Sequence, residues 1–169
     1  MSSAVFEPAR PGARAHSTPP RTDVYLHPGY VHASAEERTI ATILGSCVSV
    51  CMYDRDRGIG GANHFLLPYP VAGEHASGRF ASAAVVDLIN RMVALGSTPG
   101  RMEAKLFGGA AVVPALRVRP DHLGMQNVNV ARQLLREHGI PVRAEDVGGE
   151  RGRKLFFCTA DGSAWVKLL

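Results

Sequence analysis

In the stretch LGSCVSVCMYDRDRGIGGANHF, Cys47 follows directly on Gly45 and Ser46, and His64 stands near the far end, seventeen residues beyond the cysteine. A thiol and an imidazole can serve as a nucleophile and its base. A free thiol with a pKa of about 8.5 is only a few per cent ionised at neutral pH, so a neighbouring imidazole is what would activate it. Gly45 and Ser46 would let the chain turn sharply, with φ > 0, and leave the backbone N–H groups at Ser46 and Cys47 pointing outward. Donors of that kind can hold a developing oxyanion, where the loss of one typically costs about 3 kcal/mol. The bland alternative is a packed small hydrophobe, which is what most free cysteines are. From the residues alone, both readings of Cys47 stay open.

The other candidates are easier to place. Cys51 and Cys158 sit inside apolar strand-like runs and suit packing. Cys47 and Cys51 form a C-x3-C pair, but nothing nearby completes a four-ligand set, so no metal is expected. His16 falls in a polar N-terminal stretch, His27 and His32 flank a Pro-Gly turn, and His75 and His122 fall in loops. His138 closes a helix, where the dipole favours a charged imidazole. The pairs Gly60-Gly61, Gly108-Gly109 and Gly148-Gly149 match neither a P-loop nor a dinucleotide fingerprint, and turns and close packing account for them.

The elements that must position Cys47 and His64 can be read from periodicity. VSVCMYD alternates, with Cys47, Ser49 and Cys51 on one face and Val48, Val50 and Met52 on the other. Extended segments precede it in DVYLHPGYVHA and RTIATIL. DRDRG supplies a turn, and IGGANHFLLP continues as a strand that could bring His64 back beside Cys47. Helical spacing appears in FASAAVVDLINRMVAL, terminated at Gly96, and in NVNVARQLLREHG, terminated at Gly139. RMEAKLF, IPVRAEDV, RKLFFCTA and SAWVKLL read as strands, the last two joined by an Asp161-Gly162 turn. Strands dominate and the two helices do not alternate with them strictly, which predicts an α+β fold with a mixed or antiparallel sheet.

Composition sets the outer limits. With 46% hydrophobic and 20% charged residues the chain is globular. Residues 1–21 are rich in Pro, Ala, Arg and Ser and predict a flexible tail, leaving 22–169 as a single domain. No apolar run is long enough for a transmembrane helix, and the start lacks a secretion signal. Three cysteines argue against a disulfide framework and fit the cytoplasm. The net charge of +4 is scattered, Arg151, Arg153 and Lys154 included, and reads as solvated surface charge. A nucleic-acid interface would need a basic cluster interleaved with aromatics.

Four segments, TILGSCVSVCMYDRDRGIGGANHFLLP, KLFGGA, LGMQNV and DVGGERGRKLFFCTADGSAWVKLL, occur in this order. Together they resemble the CheD family of bacterial chemoreceptor glutamine deamidases, from about Val24 to Leu169. The resemblance implies a three-layer α/β/β sandwich with two main helices, similar to the catalytic domain of cytotoxic necrotizing factor toxins. It implies a Cys–His hydrolase that converts glutamines of methyl-accepting chemotaxis receptors to glutamate, and the same acyl chemistry would permit hydrolysis of receptor methyl esters. Cys47 would be the nucleophile, His64 the general base and acid, and the Ser46 and Cys47 N–H groups the oxyanion donors. A threonine that orients the histidine is implied six positions before the cysteine, where this chain has Ala41. Thr42 comes next and Thr39 is a further candidate; because side chains alternate along a strand, a one-residue offset matters. No cofactor is implied. The implied partners are the receptors and, in some bacteria, a CheC phosphatase. The alternative is a non-catalytic adaptor that binds the same partners.

Overall fold

A computed structural model describes residues 3–6 and 20–169. The strands are β1 (Ser3–Phe6), β2 (Val24–Tyr25), β3 (Val31–Ser34), β4 (Thr39–Leu44), β5 (Val48–Asp54) and β6 (Ile59–Asn63), then β7 (Glu103–Gly108), β8 (Val142–Val147), β9 (Arg153–Cys158) and β10 (Ala164–Leu168). Helix α1 (Ala81–Ala94) lies between β6 and β7, and α2 (Leu123–Glu137) between β7 and β8. The strands form two five-stranded sheets, ordered β1-β10-β9-β4-β2 and β3-β6-β5-β7-β8. Most pairings are antiparallel; β2 with β4 and β7 with β8 are parallel, so both sheets are mixed. The fold is α+β, with two helices and two mixed sheets. Among the described residues no helix is long and apolar enough to cross a membrane.

β5 shows why the core divides in two. Its side chains alternate across the sheet. Val48, Val50 and Met52 pack with Ala84, Leu88 and Met92 of α1 and with Val128, Ala131 and Leu135 of α2. On the opposite face, Cys51 and Tyr53 pack with Leu44 of β4, Phe157 of β9 and Val166 of β10 in the other sheet. β5 is therefore buried throughout, its side chains shared between a helix-facing and a sheet-facing core. Cys51 belongs to the second core, where burial pushes its thiol up to about 12.

Gly60 and Gly61 of β6 admit the neighbouring layers. A Cβ on Gly60 would lie 2.4 Å from the Thr159 carbonyl oxygen, and one on Gly61 would lie 2.8 Å from Leu88 Cδ1 of α1. Close packing therefore accounts for this pair. The helices end as their glycines require, with Gly96 after α1 and Gly139 after α2 both at positive φ.

Four differences from the sequence reading matter. The strand expected through Pro68 ends at Asn63, and α2 begins at Leu123, a turn before the apolar periodicity sets in. Ser3–Phe6, within the stretch expected to be a flexible tail, pair antiparallel with β10; Met1, Ser2 and residues 7–19 of that stretch lie outside the described residues. Arg153 was expected on the surface but is only 2% exposed. Its guanidinium donates to the carbonyls of Gly108, Asp146 and Gly148 and pairs with the Asp146 carboxylate. A buried guanidinium with that many acceptors is a structural tie and not solvated charge.

Candidate active site

Gly45, Ser46 and Cys47 connect the last residue of β4, in one sheet, to the first residue of β5, in the other. The thiol therefore sits where the chain crosses between layers, and Cys47 is half-buried at the edge of the sheet-facing core. The crossing does not use the positive φ expected of it: Gly45 is not among the glycines with that conformation, and no other residue type adopts it among the described residues. The bend is instead fixed by its carbonyls. Ala110 N–H donates to Gly45 O at 2.8 Å, Gly109 N–H donates to Cys47 O at 2.8 Å, and the Asn127 amide of α2 donates to Ser46 O at 3.2 Å.

The KLFGGA segment is the seat of this bend. Gly108 has φ of 110°, and a Cβ there would lie 2.2 Å from Cys47 O. Gly108→Ala is accordingly expected to displace the Cys47 backbone and cost roughly 1–3 kcal/mol of stability. Thermal unfolding beside a thiol-alkylation assay would register both effects, whereas an unchanged melting temperature would count against the packing described here.

His64 is clamped just past the end of β6. Its N–H donates to Tyr30 O at 3.1 Å, and its carbonyl accepts from Gly29 N–H at 2.6 Å. His64 is 2% exposed. Nδ1 lies 2.8 Å from Thr42 Oγ1, and the same hydroxyl lies 2.7 Å from Leu26 O. A carbonyl can only accept, so the single hydroxyl proton goes to Leu26 and the oxygen accepts from Nδ1–H. This fixes the neutral tautomer and leaves the Nε2 lone pair as the basic position.

Alternation on β4 decides which threonine makes that contact. Ile40 and Leu44 point into the core between the sheets, and Thr42 shares their parity. Ala41 faces the other way, against Phe156 and Trp165. A threonine at position 41 would point away from His64. Thr39 pairs with Cys158 at the start of the strand, its N–H held by the Asp23 carboxylate.

Cys47 and His64 are related through the residues that follow them. Val48 and Phe65 exchange both backbone hydrogen bonds, at 3.1 Å each, and both side chains enter the helix-facing core. Their predecessors, Cys47 and His64, consequently face the opposite side as diagonal cross-strand neighbours. That relation spaces two residues by about 7–8 Å, within reach of a long or aromatic side chain.

Burial disfavours charge on both groups. It raises the Cys47 thiol, an effect its own backbone N–H partly opposes. It lowers His64 to about 4, with the Leu26 backbone working the other way and His27 lowering it further. At neutral pH the pair thus rests as thiol and imidazole, not as thiolate and imidazolium. Iodoacetamide alkylation of Cys47 should therefore accelerate only at alkaline pH, with a midpoint above the ordinary thiol value. Rapid alkylation at pH 6 would contradict this.

Thr42→Val should strand the buried Nδ1–H, at about 1–3 kcal/mol. If that loss falls on the reaction barrier, the rate drops roughly tenfold or more. It would be read as kcat for the reaction proposed below, with little change in KM.

Asn127 was missed by the sequence reading. It is fully buried, and its Nδ2 donates both to Ser46 O and, at 2.8 Å, to Leu66 O. The only sequence signal was a polar residue on the core face of α2, within LGMQNV.

Two mixed sheets and two helices define the class, an α+β protein, and the Val48–Phe65 register turns Cys47 and His64 to one side as a candidate site. A family model described as CheD chemotactic sensory transduction matches residues 66–168. Over 165 residues the chain is 47% identical to "Probable chemoreceptor glutamine deamidase CheD 1" of Anaeromyxobacter dehalogenans, covering 96% of this chain and 95% of that one. It is 40% identical over 151 residues to "Probable chemoreceptor glutamine deamidase CheD 2" of Chromobacterium violaceum, covering 88% of this chain and 74% of that one. Among solved structures, Bacillus licheniformis hypothetical protein YfiH overlaps 78% of this chain and 58% of its own, at 16% identity and a TM-score of 0.40. The chain belongs to the CheD family.

Proposed function

We propose that this chain deamidates glutamine side chains of methyl-accepting chemotaxis receptors. What carries the reading is the Thr42–His64 hydrogen bond, which leaves Nε2 basic on the face that Cys47 shares, in a member of the CheD family.

His64 Nε2 takes the thiol proton as Cys47 Sγ attacks the carboxamide carbon. Because both groups rest neutral, proton transfer and S–C bond formation proceed together. The oxyanion is received by the N–H groups of Ser46 and Cys47. The imidazolium then protonates the departing nitrogen, ammonia leaves, and a thioester remains. Water, deprotonated by the same imidazole, attacks the thioester; the thiol recovers its proton and glutamate is released. A methyl ester follows the same route, with methanol leaving in place of ammonia. No cofactor enters.

The product places a new negative charge on a receptor helix, where repulsion from neighbouring carboxylates shifts helix packing. The work is done in the cytoplasm on the receptors' cytoplasmic helices, with a CheC-like phosphatase as a further partner. The α/β/β layering of residues 22–169 and their kinship with cytotoxic necrotizing factor catalytic domains belong to the same proposal.

The test is to incubate purified receptor cytoplasmic fragment with the protein and follow its peptides by mass spectrometry. Glutamine peptides should gain the mass of an amide-to-acid conversion, with ammonia released in equal amount. Receptor binding without conversion would leave an adaptor and end the enzyme reading.

A further inference from the structure

We propose that Asn127 is a positioning residue that sets the oxyanion donor, by holding the Ser46–Cys47 peptide plane so that the Cys47 N–H faces the oxygen on which negative charge develops. The inference rests on the deamidase reading and assigns this step to a residue on α2, far from the cysteine in sequence.

In a trans peptide the carbonyl and the following N–H point to opposite sides, and no cis peptide occurs among the described residues. Asn127 Nδ2 holds Ser46 O on the side of α2, whose apolar face packs against Val48 and Val50. The Cys47 N–H is thereby turned the other way, toward the sheet-facing side that Cys47 and His64 share. The effect of that N–H on its own thiol agrees with this direction.

The second bond, to Leu66 O, ties in the strand that carries His64. In the Val48–Phe65 register, Leu66 stands opposite Cys47. One amide thus staples the nucleophile's bend to the histidine's segment. Its orientation is forced, since reversing the amide would put an oxygen against two carbonyls. Close glycine packing keeps this end of the helix in place: a Cβ on Gly124 would lie 2.4 Å from Gly109 O.

The experiment compares Asn127→Ala and Asn127→Leu with the wild type. Leucine keeps the volume and removes the donor. Deamidation of the receptor fragment is measured as kcat and KM, and Cys47 alkylation by iodoacetamide is measured across pH. Alkylation forms no oxyanion, so it reports the thiol and His64 without the donor. The expected result is a kcat about 10²-fold lower with KM near the wild-type value, while the alkylation rate at saturating pH stays at the wild-type value and its midpoint moves slightly upward, because the thiol loses the N–H that favours its ionised form. A kcat within twofold of wild type, or kcat and alkylation falling in the same proportion, would overturn the proposal. Failure of both variants to fold would assign Asn127 to the scaffold and also count against it. A wild type that does not deamidate sinks the deamidase reading instead, a different outcome from active wild type with active variants.

Discussion

Cys47→Ala is expected to abolish deamidation, with a loss of at least about 10³-fold, because the proposed acyl bond forms on its Sγ. The fold should survive. Cys47 is half-buried at the margin of its core, and the bend is held through backbone carbonyls, which alanine retains. Thermal unfolding should therefore stay close to wild type while the receptor mass spectrum shows no conversion. Receptor binding, measured by pull-down or titration, should also persist. Loss of binding together with activity would mean that the cysteine shapes the docking surface and would weaken its assignment as nucleophile. The other cysteines offer no substitute: Cys51 is sealed between the sheets with its thiol pushed up to about 12, and Cys158 lies at the far end of β9.

His64→Gln should lower kcat by about 10²–10⁴-fold, the usual worth of a positioned general base. It should also leave a signature in stability. In the unfolded chain His64 titrates near 6.5, and in the folded chain burial lowers it to about 4. Between those values the unfolded state holds more protons, so folding stability rises with pH across the window. The contribution is complete above pH 6.5 and is lost as the pH falls toward 4; it amounts to about 3 kcal/mol at most. His64→Gln removes this slope. Urea unfolding at pH 4.5 and pH 7 should differ less for the variant than for the wild type. An equal difference in both proteins would show that the ring is not held neutral.

Local pattern carried the reading of this chain a long way, and it stopped where contacts became non-local. The alternation in VSVCMYD put Cys47, Ser49 and Cys51 opposite Val48, Val50 and Met52, and β5 divides its side chains between two cores in that way. Alternation in RTIATIL could separate positions 41 and 42 but could not say which face looked inward. That depends on β9, more than a hundred residues away, whose Phe156 covers Ala41 while Leu155 and Phe157 face the inner core with Ile40 and Leu44.

The family resemblance implied a threonine beside the histidine, and only the stacking of the sheets brings Thr42 Oγ1 to 2.8 Å from His64 Nδ1. Gly45 looked like the conformational hinge of the bend because glycine can adopt positive φ. The strain falls on Gly108 instead, where the second strand needs room beside the Cys47 carbonyl. Arg153 and Asn127 were hidden for a shared reason. A charged residue in a basic run and a polar residue at a helix start both look solvated until the carbonyls they satisfy come together from β7, β8 and the two strand ends.

The most direct test of the account is the intact mass of the enzyme itself, taken by acid quench during turnover of a receptor fragment. The account predicts a covalent adduct equal to the substrate less ammonia, mapped to Cys47, released by hydroxylamine, and absent from Cys47→Ala. Sustained conversion of glutamine to glutamate with no such adduct at any quench time, and undiminished in Cys47→Ala, would contradict it.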